Sequence, residues 1–380
     1  RLIDIDGHKL DDFCLGDTGS MFGHSPPAVA RAIRRQARRG LTYMLPSKAA
    51  LRAGALMVAH FGDFIWQMTL SATDANRNAL RVARALTGRR KILVFNGCYH
   101  GTVDETFVVS GPNGETTLRP GNVGAPGNIN DTTRVAEFND LESVEKALAN
   151  GDVAVIITEP ALTNIGIVLP DMGYLERVRE LCDQYGVLLV FDEVKTGLTA
   201  GPQGAAQRLG VKPDLIALAK SIGGGIPVAA FGGKREYMDV VVKGHHSHLG
   251  TFNGHYLAMA GIRAVDRLCT PEALQRCEDL NRQALTRISD IINEYEIPAH
   301  TVGFGVKGCI TWSPSPVRNY RDYKATDFDI AELSFFWSLN RNVMTPPGLD
   351  EQWLISLAHG QREIDIIVGD FLEFAQALRA

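Results

Sequence analysis

The sequence lacks a long apolar run, an excess of basic residues and paired cysteines, and each absence excludes a class of protein. No apolar stretch approaches the roughly 18–20 residues of a membrane-spanning helix, so we expect no membrane partner. The formal net charge of −4 is opposite in sign to the basic surface of nucleic-acid-binding proteins, so we expect no nucleic acid. The chain starts without the apolar segment of a secretory signal. The six cysteines form no C-x-x-C pair, which is typical of reduced thiols in the cytoplasm.

The densest basic run extends from Arg31 to Arg39 and is interrupted by alanine and isoleucine at helical spacing. This pattern indicates the solvated face of a helix. A polyanion-binding site is the less favoured interpretation.

The length of 380 residues exceeds what one hydrophobic core usually supports, so two lobes are expected. Between about residues 50 and 235, short β-branched runs alternate with amphipathic helical stretches, which predicts an α/β fold with a mostly parallel sheet covered on both faces. After about residue 255, long amphipathic helices flank short strands, as in a smaller α/β lobe. We therefore predict a large domain at 37–265 and a small domain formed by 1–36 and 266–380. The Gly-, Pro- and Thr-rich segment 110–130 is a long loop, and we interpret it as a lid over the active site.

Two motifs carry the strongest chemical signals. In F-D-E-V (191–194), Asp192 ends an apolar strand, where a buried carboxylate needs a cationic partner such as a protonated pyridine nitrogen; a helix N-cap or a magnesium-binding pair is the alternative. In L-A-K-S-I-G-G-G-I-P (218–227), Lys220 follows an apolar strand and precedes three glycines. A desolvated lysine has a lowered pKa and can form an imine with an aldehyde cofactor. The alternative is a surface lysine before a flexible turn.

Two further motifs are weaker by themselves. The turn L-S-A-T-D-A (70–75) opens a predicted helix, and its N–H groups with the hydroxyls of Ser71 and Thr73 form a candidate phosphate site; simple helix capping explains the turn equally well. In N-G-C-Y-H-G (96–101), Tyr99 or His100 is placed to stack on a planar cofactor, although a packed aromatic is the usual explanation.

The order and spacing of these motifs, with E-P at 159–160, resemble class III aminotransferases of the type I pyridoxal-phosphate fold. The resemblance extends from I-D-G (5–7) to S-L-A-H (356–359) and is strongest to glutamate-1-semialdehyde aminomutase and its relatives. It implies a large domain with a mostly parallel central sheet, a smaller α/β domain, and pyridoxal 5′-phosphate as the cofactor.

The resemblance also implies roles for individual residues. Lys220 would hold the cofactor as a Schiff base and carry the proton, Asp192 would face the pyridine nitrogen, and Tyr99 would complete the catalytic set. Thr251, in G-T-F-N, would reach the phosphate of the neighbouring subunit, which implies a homodimer with shared active sites. The predicted cofactor contacts are Ser71, Ala72, Thr73, Tyr99, His100, Glu159, Asn164, Asp192, Val194, Lys220 and Thr251.

Departures from the family pattern concern the substrate. Lys195 occupies a position where relatives often carry Gln or Met, close to the cofactor's phenolic oxygen. Its ammonium group would attract that oxygen or bind an acid group of the substrate. The alternative is that the side chain points away. Glu351 matches an active-site glutamate of the aminomutase, and no arginine appears in T-P-P-G (345–348). An acid with few arginines favours an amino group or neutral amine over a dicarboxylate.

These features predict an enzyme that transfers an amino group from an amine or amino acid donor to a carbonyl acceptor. An aminomutase, which moves the amino group within one substrate, uses the same residues and is the alternative; a catalytically silent cofactor-binding module is disfavoured because Lys220 and Asp192 are both present. We expect no metal, although His245, His246 and His248 cluster before Thr251.

Overall fold

The computed structural model describes residues 1–45, 47–125, 127–347 and 352–379. Within these ranges, no helix combines the length and the apolar character needed to cross a membrane. The strands are β1 (Leu2–Ile3), β2 (Lys9–Asp12), β3 (Ile65–Thr69), β4 (Lys91–Phe95), β5 (Val108–Ser110), β6 (Thr116–Leu118), β7 (Thr133–Ala136), β8 (Val153–Thr158), β9 (Leu188–Asp192), β10 (Leu215–Leu218), β11 (Ala229–Gly233), β12 (His300–Phe304), β13 (Lys307–Thr311), β14 (Val343–Met344) and β15 (Trp353–Leu354). The helices are α1 (Pro27–Ala37), α2 (Lys48–Phe61), α3 (Ala72–Thr87), α4 (Leu141–Leu148), α5 (Tyr174–Tyr185), α6 (Gly204–Leu209), α7 (Arg235–Val242), α8 (Tyr256–Asp266), α9 (Pro271–Glu294), α10 (Tyr320–Tyr323), α11 (Phe328–Asn340) and α12 (Gln361–Arg379).

A seven-stranded sheet in the order β3-β11-β10-β9-β8-β4-β7 forms the centre of the molecule. The five strands from β10 to β7 pair in parallel, and β11 pairs antiparallel with both β10 and β3. The prediction of an α/β fold with a mostly parallel sheet is confirmed. The parallel strands are apolar along their whole length because helices cover both faces; every residue of β8 is buried.

Helix α3 shows how the local sequence sets the elements around the sheet. Its N-cap Ser71 accepts a hydrogen bond from the Asp74 N–H at 3.1 Å, and Gly88 ends the helix in the left-handed conformation. Between these caps, a stripe of small apolar residues packs against the sheet. The stripe also contains a buried Asn76, and that polar residue contributes to the site.

Two small three-stranded sheets contain the strands from the N-terminal and C-terminal parts of the chain. Strand β2 pairs with both β1 and β14, and β12, β13 and β15 form the second sheet. One hydrophobic cluster runs from these parts into the central sheet, since Phe13 and Phe371 belong to the same core as Leu218. The division at 37–265 therefore stays a prediction.

The segment 110–130 contains strand β6 and a short 3₁₀ turn, and β6 forms a hairpin with β5. Arg119 Nη1 donates to the Cys98 carbonyl at 3.0 Å, and Asn130 Nδ2 donates to the Thr116 carbonyl at 3.0 Å. Its described residues are therefore tied to neighbouring backbone, and none of them lines the cavity that contains Lys220. The structure does not place this segment as a lid.

Candidate active site

A cavity of about 260 Å³ opens at the carboxyl ends of the parallel strands, where α/β sheets bind ligands. Strands β4, β8, β9 and β10 each end beside it. The lining consists of Asp17, Ala72, Thr73, Tyr99, Gly101, Glu159, Asn164, Asp192, Val194, Lys195 and Lys220. Four motifs that are distant in the sequence thus meet in one cavity.

Asp192 is a buried acid at the cavity wall and is held by three donors. Its Oδ2 accepts from Asn76 Nδ2 at 2.7 Å and from His100 Nδ1 at 2.8 Å, and its Oδ1 accepts from the Val194 N–H at 3.0 Å. Such a carboxylate is fixed in orientation by its donors.

His100 contacts Asp192 from behind and does not line the cavity. Burial by itself lowers the pKa of this imidazole, but Cys98 and the hydrogen-bonded Asp192 act more strongly together and raise the pKa of His100 well above its ordinary value. A protonated His100 partly neutralises Asp192. In this arrangement the ring orients the carboxylate instead of stacking in the cavity.

Lys220 begins a short 3₁₀ turn two residues after β10 and has a positive φ of 50°, which is uncommon for a residue with a Cβ. Its side chain lines the cavity, where Nζ forms an ion pair with Asp17. Asp17 itself has a φ of 47° and lies in a run of four residues with positive φ, 15–18. Two unusual backbone conformations therefore bring these opposite charges together.

Lys195 reaches the same acid from the next strand. Its Nζ lies 3.4 Å from Asp17 Oδ1 and donates to the Thr163 carbonyl at 3.0 Å. Burial tends to raise the pKa of Asp17, but Lys195 and Lys220 outweigh burial, and the pKa is lower than usual. Asp17 is accordingly a carboxylate between two ammonium groups.

Glu159 and Asn164 follow β8 and form a buried pair, with Asn164 Nδ2 donating to Glu159 Oε1 at 2.7 Å. Thr163 also donates to this carboxyl group through its N–H at 3.1 Å and through its hydroxyl. Burial and the nearby Asp192 raise the pKa of Glu159. The pair forms a polar wall of the cavity.

The start of α3 forms the opposite end of the cavity through Ala72 and Thr73. Their N–H groups belong to the first turn, where no acceptor exists within the helix. Thr73 Oγ1 accepts from the Thr102 N–H at 3.1 Å, and a Cβ on Gly101 would lie 2.3 Å from that hydroxyl. Ser71 caps the helix and does not line the cavity.

These residues fit pyridoxal phosphate. Asp192 offers a fixed anion to a ring nitrogen, Lys220 offers an amine to an aldehyde, and the start of α3 offers backbone donors to a phosphate. The half-exposed Tyr99 and the buried Val194 add one aromatic and one aliphatic surface to the cavity.

Thr251 lies elsewhere in the single chain. It is exposed and lines a second cavity of about 380 Å³ with Tyr43 and Leu249. Next to it, His246 Nε2 contacts Asn78 Oδ1 at 2.8 Å and His248 Nε2 contacts the Met68 carbonyl at 3.0 Å. The predicted substrate contact Glu351 lies outside the described residues.

Sequence reasoning missed Asn76 and Asp17. For Asn76 a signal existed, since it is a polar residue inside the buried stripe of α3. For Asp17 no such signal existed, because Asp17 follows a glycine in L-G-D-T-G and no strand or helix lies next to it.

Comparison with known proteins identifies a family and individual relatives that this chain resembles. The family model described as "Aminotransferase class-III" matches residues 1–320. The glutamate-1-semialdehyde 2,1-aminomutase of Syntrophobacter fumaroxidans is 35% identical over 372 residues, which cover 97% of this chain and 86% of that protein.

Two solved structures share the fold over nearly the whole chain. A lysine-to-alanine variant of a glutamate-1-semialdehyde aminomutase from Pseudomonas aeruginosa PAO1, in complex with PMP, gives a TM-score of 0.93 at 36% identity, covering 99% of this chain and 85% of that one. An omega-transaminase from Sphaerobacter thermophilus gives 0.94 at 28% identity, covering 100% and 89%.

Proposed function

Because this chain belongs to the class III aminotransferases, a family of pyridoxal-phosphate enzymes, we propose that it moves an amino group from an amine or amino acid donor to a separate carbonyl acceptor. The observation that supports this proposal most directly is the cavity that joins Lys220, Asp192 and the start of α3. When bound, pyridoxal phosphate supplies an aldehyde that takes up the amino group and a ring that withdraws electrons from the donor carbon.

The residues that hold the cofactor in this proposal lie on three sides of the cavity. The Asp192 carboxylate would pair with the ring nitrogen, and Ala72 and Thr73 would donate backbone N–H groups to the phosphate. Tyr99 and Val194 would contact the ring, and Glu159 and Asn164 would lie on its polar side. The contacts of Asn76 and His100 keep Asp192 in position.

Lys220 is the base. Its Nζ would take the proton from the donor carbon and pass it to the carbon that then carries the amino group. The second half of the reaction would run in reverse and place a proton on the acceptor carbon, so one amine serves both halves. Asp17 stabilises the ammonium form of Lys220, because an opposite charge in contact favours the charged state. The strained backbone of both residues keeps the pair inside the cavity.

In this proposal, the Lys195 ammonium group binds an acid group of the substrate. Its ammonium group is buried, faces the cavity and shares Asp17 with Lys220. No arginine lines the described part of this cavity, so a donor with one acid group or none fits better than a dicarboxylate.

One structural feature favours transfer between two molecules. An aminomutase must retain its substrate between the two halves of the reaction, whereas an aminotransferase must release a product there. The described residues of 110–130 do not line the cavity, which supports release of a product between the two halves. The second candidate, intramolecular transfer, is favoured by the relatives that are named aminomutases.

The proposed assembly is a homodimer with shared sites. Thr251, exposed here beside the apolar surface of Leu249 and Phe252, would reach the phosphate in the partner's site. A shared cofactor site would couple dimer formation to cofactor retention by mass action.

A labelling experiment separates the two candidates. Holoenzyme is incubated with ¹⁵N-labelled amine and amino acid donors and unlabelled carbonyl acceptors, and the products are analysed by mass spectrometry. Transfer of label to the acceptor supports the proposed function. Conversion of glutamate-1-semialdehyde with no exchange of label with other donors would instead establish the aminomutase, and the Lys220→Ala variant is the inactive control for both.

A further inference from the structure

Helices α1, α2 and α8 form a surface groove of about 380 Å³ that is lined mainly by arginine and alanine side chains. It shares no lining residue with the cavity of Lys220. Its basic side chains, called here the arginine groove, are Arg31, Arg35, Arg39, Arg52, Arg263 and Arg267.

The charge of this groove is unbalanced within the described part of the chain. Among the described residues, no carboxylate lines the groove. None of its six arginines belongs to a described ion pair. Elsewhere on the surface, arginine and acid side chains do pair within 4 Å, as Arg177 and Glu180 do. The nearest acid in sequence, Asp266, instead contacts His60 Nε2 at 3.1 Å. Like charges held together in a protein whose net charge is −4 repel one another unless an anion is bound.

The groove is built by the contact between two helices. Arg31, Arg35 and Arg39 follow one another at four-residue spacing along α1 and its C-terminal end, and Arg263 and Arg267 have the same spacing on and just after α8. Small residues, among them Ala32 and Ala264, line the floor. The sequence pattern indicates a solvated helix face for Arg31–Arg39; the tertiary structure adds a second row of arginines beside it.

We propose that the arginine groove is a binding site for a compact anion with several phosphate groups, such as the phosphate chain of a nucleotide or an inorganic oligophosphate. Guanidinium forks bind phosphate oxygens in pairs, and every cation in the groove is arginine, with no lysine among them. The row from Arg31 to Arg39 rises about 12 Å along a helix axis. That length suits a short phosphate chain, since it spans only about four backbone phosphates of a nucleic-acid strand.

The groove lies next to the helices that support Lys220. A Cβ on Gly224, directly after the Lys220 turn, would lie 2.8 Å from Val265 of α8 and 3.1 Å from Val29 of α1. The helices that form the groove therefore also pack against the glycine that follows the Lys220 turn.

The test is a calorimetric titration of the holoenzyme with tripolyphosphate and with ATP, in low salt and without divalent metal. Using the holoenzyme keeps the cofactor's own phosphate site filled, and the cofactor absorbance reports any displacement. The groove variant is Arg31→Gln with Arg35→Gln. The matched control is Arg34→Gln with Arg38→Gln, which removes the same charge from the same helix outside the groove.

We expect saturable binding at one site per chain, an affinity at least about tenfold weaker in the groove variant, and a change below about threefold in the control. Equal affinity for both probes identifies the phosphate chain as the ligand, and tighter binding of ATP identifies a nucleotide. Equal weakening in the two variants, non-saturable binding, or citrate binding as tightly as tripolyphosphate would each overturn the proposal.

Discussion

Replacing Asp192 by Asn removes one charge from the active site while nearly keeping the side chain's shape. In the structure both carboxylate oxygens accept hydrogen bonds, Oδ2 from Asn76 and His100 and Oδ1 from the Val194 N–H. An amide has one oxygen, so in either orientation its NH₂ group faces a donor. At least one buried hydrogen bond is lost.

The magnitude follows from these contacts. A buried donor without an acceptor costs about 1–3 kcal/mol, and breaking the buried ion pair with His100 costs up to about 3–5 kcal/mol if the imidazole stays charged. In the wild type, Asp192 helps to raise the pKa of His100. The raised pKa stabilises the folded state. This stabilisation is complete when the pH is below the unfolded-state pKa, and it is lost as the pH rises through the folded-state pKa. In the variant, the part of this stabilisation that comes from Asp192 is lost. The destabilisation should therefore be smallest, about 1–3 kcal/mol, above the raised folded-state pKa of His100 and should grow as the pH falls through that pKa.

The catalytic effect should be larger than the structural one. An amide cannot hold a ring nitrogen protonated, so the proton-abstraction step should slow on the order of 10²-fold or more, as when other preorganised electrostatic contacts are removed, with the cofactor still bound. Stopped-flow absorbance of the donor half-reaction measures this step, and denaturant unfolding at pH 5.5 and 8 measures the stability.

Asn76→Ala is the matched control, because it removes one donor from Asp192 and leaves the charge in place. We expect a loss of about 0.5–1.5 kcal/mol and a rate within tenfold of the wild type. An unchanged half-reaction rate in Asp192→Asn, or an equal effect in Asn76→Ala, would refute the reasoning.

Three other changes test the remaining parts of the site and fold. Lys220→Ala should reduce turnover by several orders of magnitude and abolish covalent trapping of the cofactor by borohydride; Lys195→Met, in the same cavity, should keep the trapping, and the reverse pattern would assign the base to Lys195. Burial raises the pKa of Glu193 to about 7, so this group contributes stability that is complete below about pH 4.5 and falls, by about 3 kcal/mol in all, as the pH rises through 7. Glu193→Gln should flatten that slope in urea unfolding curves, and an unaltered slope would contradict the assignment. Thr251→Ala should weaken cofactor affinity by about 1–3 kcal/mol, and mixing it with Lys220→Ala subunits should restore some activity in heterodimers; a fully active monomer in analytical ultracentrifugation would exclude shared sites.

Much of the fold follows from local sequence patterns. Strands β4, β8 and β10 are among the short apolar runs that predict an α/β fold, and each lies between polar or turn residues. Lys220 and Asp192 could be predicted to meet, since each ends an apolar strand and parallel strands end at one edge of a sheet. Antiparallel β11 was not predicted, because its sequence A-A-F-G-G lacks β-branched residues.

What only the tertiary structure decided is the set of contacts between residues that no local pattern connects. Asn76 and Asp192 are 116 positions apart, and Asp17 and Lys220 are 203 apart. The two arginine rows of the groove are also distant in sequence, since Arg31 and Arg263 are 232 positions apart. Hydrophobic periodicity records which face of an element is buried, but it carries no information about which distant polar side chain lies against that face. The sequence by itself therefore determined most elements of the central sheet and pointed to Lys220 and Asp192 as the main candidate site residues. The path of the chain determined which distant side chains contact them.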